Sequence, residues 1–349
     1  MLHNDELKLH FLNVNHGDAT IIEFPDYESP KRAHFGVVDF GAKRAEDRTL
    51  TRDYMSALIN LRKDKDPTFD FVIDFACVTH PHDDHYGGLR RFMNEFADAA
   101  NAVNNKIESF WDCGFRTNSV MYNNILRDIS LNKNLTFTRV TAGSEFEFGE
   151  VRITVLAPSV DLRNRFDTYG IGKNDASIVL KIKYGNSYVI LAADAEFASW
   201  AKSTEEFPRR ERITFYRDGL GLAERKETSD QLKCNLLRVS HHGSKHGTSL
   251  EYLERLKPDY VVISAGNLAW YQNNSSNWAG DFPHPLIVET FKELDEDIQS
   301  RTYITGEAGN IIFKYDGNWT PKEKKTFLER PGTPGFDAAL SNNWQQDDV

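Results

Sequence analysis

The chain has 349 residues, 40% of them hydrophobic and 12% aromatic, with a formal charge of −10, a composition that folds and is long enough for one large or two smaller α/β domains. The acidic balance disfavours a surface built for broad nucleic-acid binding but leaves room for a local basic groove. Cys77, Cys113 and Cys234 are the only three cysteines, which argues against a disulfide framework and for a reducing compartment; with a polar N-terminus and no apolar run of spanning length, the expectation is a cytoplasmic protein without a membrane segment.

In chain order, residues 7–14, 19–24 and 35–40 read as short strands separated by turn residues, and a helix follows at about 47–61. A buried strand over 71–78 then leads into Thr79, His80, Pro81, His82, Asp83, Asp84 and His85, which places three of the eleven histidines within six residues. Imidazole nitrogens and carboxylate oxygens on one tight loop suit zinc or manganese. His80 and His82 can face one ion while Asp84 and His85 face a second. Phe92, Met93 and Phe96 form the apolar face of a helix predicted over 89–99.

A second set of strands is predicted over 151–156, 177–183, 187–193 and 236–239, giving two sheets with helices outside them. Asp194 ends the third of these strands, either as a carboxylate bridging two ions or as the N-cap of a helix that starts after it. Ser240, His241, His242 and Gly243 follow the fourth and offer two imidazoles on a close turn. The charged stretch at about 203–233 reads as an insertion. From residue 321 onward, charge, proline and glycine predict a partly disordered C-terminal tail, leaving residues 1–320 as one domain.

His80, His82, Asp84 and His85 match the His-x-His-x-Asp-His motif of the metallo-β-lactamase superfamily, and the chain resembles that family most in the branch found as the soluble hydrolase domain of DNA-uptake (competence) proteins of the ComEC type. The resemblance rests also on residues 13–18 (Asn-Val-Asn-His-Gly-Asp), Asp39 with Gly41, residues 174–180, the His-His-Gly-Ser of 241–244, residues 258–264, His284 with Pro285, and the Thr-Gly-x-x-Gly of 305–309. It implies an αββα four-layer sandwich, two mixed sheets with outer helices, and two divalent ions, zinc or manganese. His80 and His82 then hold the first ion; Asp84, His85 and His242 hold the second; Asp194 bridges them; His241 becomes an outer-sphere or packing residue. Many members supply a third histidine to the first ion, but this chain has none between His85 and His241, and the matching loop carries Asn174 and Asp175. An oxygen donor there favours harder ions such as manganese. Where the competence branch tends to have glycine before the bridging aspartate, this chain has Ala193.

The chemistry expected of such a centre is hydrolysis by a metal-bound hydroxide, with Asp84 orienting it and the cations neutralising a phosphodiester in the transition state. His284 would donate to phosphate or to the leaving oxygen; Ser244, Lys245 and His246 would contact phosphate; His16 and Asp18 would orient a metal histidine. The expected substrate is nucleic acid or another phosphodiester, with a partner protein allowed for and the oligomeric state open. A basic groove of Arg209, Arg210, Arg212 and Lys245 would favour nucleic acid. A closed pocket lined by Trp270 and Trp278 would favour a phosphorylcholine-esterase-like enzyme. A non-catalytic binding module of the same fold would instead predict missing ligands.

Overall fold

The first strand shows how the layers arise: Leu7, Leu9 and Phe11 enter one apolar core, while His10, on the opposite side, reaches the Tyr54 hydroxyl at 3.0 Å, the period-two split of a strand covered on both faces. The structure, a computed structural model, describes residues 4–27, 32–41, 43–115, 117–164, 172–218, 221–266 and 282–344. Its strands are β1 (Leu7–Phe11), β2 (Thr20–Glu23), β3 (Arg32–Val38), β4 (Asp70–Val78), β5 (Ser109–Asp112), β6 (Thr136–Arg139), β7 (Glu145–Phe148), β8 (Val151–Ala157) and β9 (Val179–Tyr184). There follow β10 (Ser187–Leu191), β11 (Arg210–Asp218), β12 (Gly221–Ser229), β13 (Leu236–Arg238), β14 (Tyr260–Ile263), β15 (Thr302–Ile304), β16 (Asn310–Tyr315) and β17 (Glu323–Phe327). The helices are α1 (Leu50–Lys65), α2 (Asp83–Tyr86), α3 (Leu89–Phe96), α4 (Val120–Leu131), α5 (Val160–Asn164), α6 (Phe197–Glu206), α7 (Leu250–Leu256), α8 (Pro285–Leu294), α9 (Thr305–Ala308) and α10 (Phe336–Trp344).

One sheet runs β17-β16-β1-β2-β3-β4-β5-β6 and the other β15-β14-β13-β10-β9-β8-β7. Both are mixed: β3 to β6 pair in parallel, as do β10, β13, β14 and β15, and the remaining neighbours are antiparallel. Phe75, Trp111, Val155 and Leu180 lie in the core between the sheets. Tyr54, Phe92 and Tyr122 pack α1, α3 and α4 on the outside of the first sheet, and Trp200, Leu253 and Phe291 pack α6, α7 and α8 on the outside of the second. This is the αββα sandwich. The parallel strands β3, β4, β10 and β13 all end at one rim, the usual place for a site in such sheets. No helix among the described residues is long and apolar enough to cross a membrane.

The C-terminal end departs from the expected loose tail. Strand β17 pairs along β16, and α10 lays Phe336 (3% exposed) and Leu340 (0%) into the core beneath α1. Charge dominates the composition there, but two apolar residues four apart make one helix face, and the Phe336 ring meets the Tyr54 ring edge-on at 5.7 Å. Phe336→Ala is expected to cost about 3 kcal/mol, read from urea unfolding; a loss below about 0.5 kcal/mol, the size of an ordinary surface change, would return α10 to the status of a tail. The charged stretch at 203–233, expected as an insertion, contains the end of α6 and the two-stranded ribbon β11-β12.

Candidate metal centre

Buried β4 delivers Thr79 and His80 directly to the rim, and the loop that follows is fixed from below. Asp39, just past β3, accepts hydrogen bonds from the Thr79 N–H (2.8 Å) and hydroxyl (2.7 Å). The Asp18 N–H donates to the Asp84 carbonyl at 3.0 Å, and the Phe40 N–H to that of His85 at 2.7 Å. Gly41 and Gly17 make this approach feasible, since a Cβ on them would lie 1.5 Å and 2.5 Å from the Asp84 carbonyl oxygen. On the second sheet, β10 runs into Ala193 and Asp194, and β13 into His241 and His242, with the His241 N–H donating to the Ala193 carbonyl at 2.8 Å. Asn15, Asp39, Ala193, His241 and His242 all adopt left-handed backbone, with φ between 48° and 62°. Non-glycine residues pay for that conformation, and such strain collects where a site dictates side-chain direction.

The side chains so placed form three overlapping groups whose donor atoms lie within 4.8 Å of one another: Asp18, His85, Asp194 and His242; His16, Asp84 and His242; and His80, His82 and Asp194. His80 Nε2 is 2.9 Å from His82 Nδ1 and 3.7 Å from Asp194 Oδ2. The other Asp194 oxygen, Oδ1, lies 3.2 Å from His85 Nε2 and 3.7 Å from His242 Nε2. Asp84 Oδ2 sits 3.6 Å from His242 Nε2 and 3.1 Å from His16 Nε2. His85 Nε2, His242 Nε2 and Asp194 Oδ1 are buried without a hydrogen-bond partner. Buried polar atoms that converge yet do not bond one another are what a shared cation would satisfy, and an imidazole–carboxylate set suits zinc or manganese. The residues fit two divalent ions.

The remaining ring nitrogens are held from behind. His85 Nδ1 donates to Asp39 Oδ2 at 2.8 Å, and His242 Nδ1 to the Ser264 carbonyl at 2.6 Å, which leaves each Nε2 as the donor aimed inward. Asp18 stands 3.6 Å from His85 Nδ1 and 3.8 Å from His242 Nδ1, paired with the buried Arg238 guanidinium. Burial holds the His80 imidazole well below its usual range and His242 down at about 4, so both offer lone pairs, the form a cation binds. Burial also pushes His85 down, but the Asp194 and Asp39 carboxylates outweigh it and raise it well above 6.5. Asp84 and Asp194 fall well below the carboxylate range despite burial, Asp84 chiefly through the hydrogen bond from His16, Asp194 chiefly through the charge of His85.

Residues 37–266 match the Lactamase_B family, described as the metallo-beta-lactamase superfamily. The chain belongs to that superfamily. It is 28% identical over 177 residues to Recombination protein 2 of Haemophilus influenzae, covering 51% of this chain and 17% of that protein. It is 25% identical over 143 residues to ComE operon protein 3 of Bacillus subtilis, covering 41% and 14%. Its matches thus span about a sixth of those relatives' length. Among solved structures, the metallo-beta-lactamase fold protein YhfI of Bacillus subtilis aligns over 89% of this chain and all of its own, with a TM-score of 0.43 and 10% identity.

Near the His80–His82 side of the site, the Asn174 Oδ1 is buried and without a hydrogen-bond partner while its amide donates to Glu196 at 2.9 Å. Glu196 also lies 2.9 Å from His241 Nδ1, which turns His241 Nε2 to 3.8 Å from Asp194 Oδ2, on the side of His80 and His82. Asp175 faces away: it accepts the Ser199 N–H at 3.1 Å in the first turn of α6. The cap of α6 therefore comes from Asp175, and Asp194 is left free to face the histidines. His284 caps α8, its Nδ1 accepting the Leu286 N–H at 3.3 Å while its own N–H donates to the Gly243 carbonyl at 2.9 Å; the ring proton then sits on Nε2. Ser244 is buried in the histidine loop, and Lys245 and His246 are exposed beyond it.

Lys245 and the three arginines Arg209, Arg210 and Arg212, expected to form a basic groove, are all exposed. Lys245 is next to the histidine loop, whereas the three arginines follow the C-terminus of α6, a ten-residue helix that spans about 15 Å and starts at the site. Trp270 and Trp278 lie outside the described residues. Sequence reading passed over Glu196, Arg238 and the role of Asp39; an arginine inside an apolar strand was the clearest signal, since a charge buried there needs a partner.

Proposed function

We propose that the chain is a dinuclear metal-dependent phosphodiesterase of the nuclease type, working in the cytoplasm on nucleic acid. The observation that carries this reading is Asp194, whose two oxygens are shared between the His80–His82 group and the His85–His242 group. In this reading His80 and His82, with His241 or Asn174 in place of the missing histidine, hold the first ion; Asp84, His85 and His242 hold the second. Two divalent cations so placed would supply Lewis acidity and an activated water at neutral pH. Asp84, steadied by His16, would accept a hydrogen bond from the attacking water. His284, anchored to Gly243, would offer its Nε2–H to a phosphate oxygen or to the leaving oxygen. Asp39 and the Ser264 carbonyl would keep His85 and His242 in the donating tautomer.

Similarity to a protein named for recombination and to a ComE operon product supports a nucleic-acid substrate. Three free, buried cysteines support a reducing compartment. Protein loaded with manganese or with zinc and incubated with end-labelled single- and double-stranded DNA and RNA should cut at least one of them, and His82→Ala should lower the rate about a hundredfold or more. No cleavage by protein shown to hold two ions would overturn the nuclease assignment.

A further inference from the structure

Strands β11 and β12 pair over their full length, from Arg210 opposite Ser229 to Asp218 opposite Gly221, and form a sheet of their own. Among the described residues no third strand joins either edge. Side chains 210–215 are exposed, including Ile213 (50%) and Phe215 (62%). A nine-residue edge strand with neighbouring apolar residues on one face is an open template for another strand.

The sequence of β11, Arg-Glu-Arg-Ile-Thr-Phe-Tyr-Arg-Asp, specifies which strand fits. Placed antiparallel to a second copy of itself about Thr214, it sets Arg210 opposite Asp218, Glu211 opposite Arg217, Arg212 opposite Tyr216, Ile213 opposite Phe215 and Thr214 opposite Thr214. Each of these is a favourable cross-strand pair of opposite charge, cation with ring, apolar or hydroxyl type, and two-fold symmetry uses each unlike pair twice. Paired positions share parity, so the outward N–H and C=O groups of one copy meet those of the other, and Ile213 and Phe215 of both copies gather on one face. Shifting the register by two residues toward Ile213 puts Glu211 opposite Phe215 and Arg212 opposite Thr214, and both charge pairs are lost. Strand β12 lacks this symmetry, since Arg225 at its centre would face itself.

We infer that β11 is a self-association edge: two copies of the chain join β11 to β11 about a two-fold axis at Thr214, making one four-stranded sheet. This is independent of the hydrolase reading, because no residue of β11 belongs to the donor groups around His80, His85 and His242.

Sedimentation equilibrium of the full chain should show a concentration-dependent dimer. Arg217→Glu places like charges opposite each other twice and should weaken the dimer about tenfold or more, while Glu211→Arg with Arg217→Glu restores both pairs in swapped order and should recover it. Thr214→Cys should cross-link between chains under diamide, because directly opposed Cα atoms lie about 4.5–5.5 Å apart, within disulfide reach, and the native cysteines are buried. Glu211→Cys should not, its counterpart being six positions, about 20 Å, away. A monomer that fails to cross-link at Thr214, or a dimer indifferent to both charge variants, would overturn the inference; metal content, unchanged in every variant, reports that the fold is intact.

Discussion

Asp194→Asn is expected to leave a folded protein that holds fewer than two ions per chain and hydrolyses its substrate about a thousandfold more slowly or worse. Asp194 stands in two of the three donor groups, with one oxygen toward His80 and the other toward His85 and His242. Asparagine keeps the shape but removes the charge and half of the acceptor capacity, so the two groups no longer share a ligand. His85, raised by Asp194 and Asp39 together, keeps Asp39, and its ring stays in place through that 2.8 Å bond. Elemental analysis after metal loading and desalting is the direct measurement. Retention of two ions would remove Asp194 from the bridging position even if activity fell.

Gly41→Ala is expected to destabilise the protein by about 3 kcal/mol or more, or to abolish folding. The new methyl group would lie 1.5 Å from the Asp84 carbonyl oxygen, 2.3 Å from its carbon and 3.0 Å from the Asp18 nitrogen. All three are backbone atoms, so no side chain can rotate away, and relief requires the motif loop to lift off the residues 13–18 loop. Lifting it would break the Asp18 N–H bond to Asp84 and move His82, Asp84 and His85 together. Urea unfolding and metal content should both fall, against a Gly172→Ala control whose Cβ meets only an atom 4.0 Å away. Wild-type stability and metal content in Gly41→Ala would show that the clamp does not hold the loop.

That His80, His82, Asp84, His85, Asp194 and His242 gather at one rim was legible in the sequence, because each is a metal-type residue shortly after an apolar strand, and strand ends share a rim in layered α/β folds. What was not legible depends on contacts between distant segments. Asp39 and His85 are 46 positions apart and meet only because β3 and β4 are parallel neighbours. Asp175 read as a replacement ligand from its place in the loop, whereas the structure shows it on the N–H groups of α6, a choice of direction that composition does not encode. The C-terminal end read as a tail because Phe327, Phe336 and Leu340 are few among many charges, yet all three are buried. Neither Glu196 nor Arg238 belongs to a recognisable spacing pattern; their roles come from His241 and Asp18 being across the rim.

The histidine loop after β4 belongs to the eight-stranded sheet, whereas Asp194 and His242 follow strands of the seven-stranded sheet. Any cation they share is a clasp between the two halves of the sandwich, joining chain positions more than a hundred residues apart. Closing loops of that length removes much of the freedom of the opened chain, the same entropic logic by which a long-range cross-link stabilises a fold. Metal starvation is then expected to shorten the lifetime of the molecule, because the rim whose side chains would hold the ions also draws on both sheets.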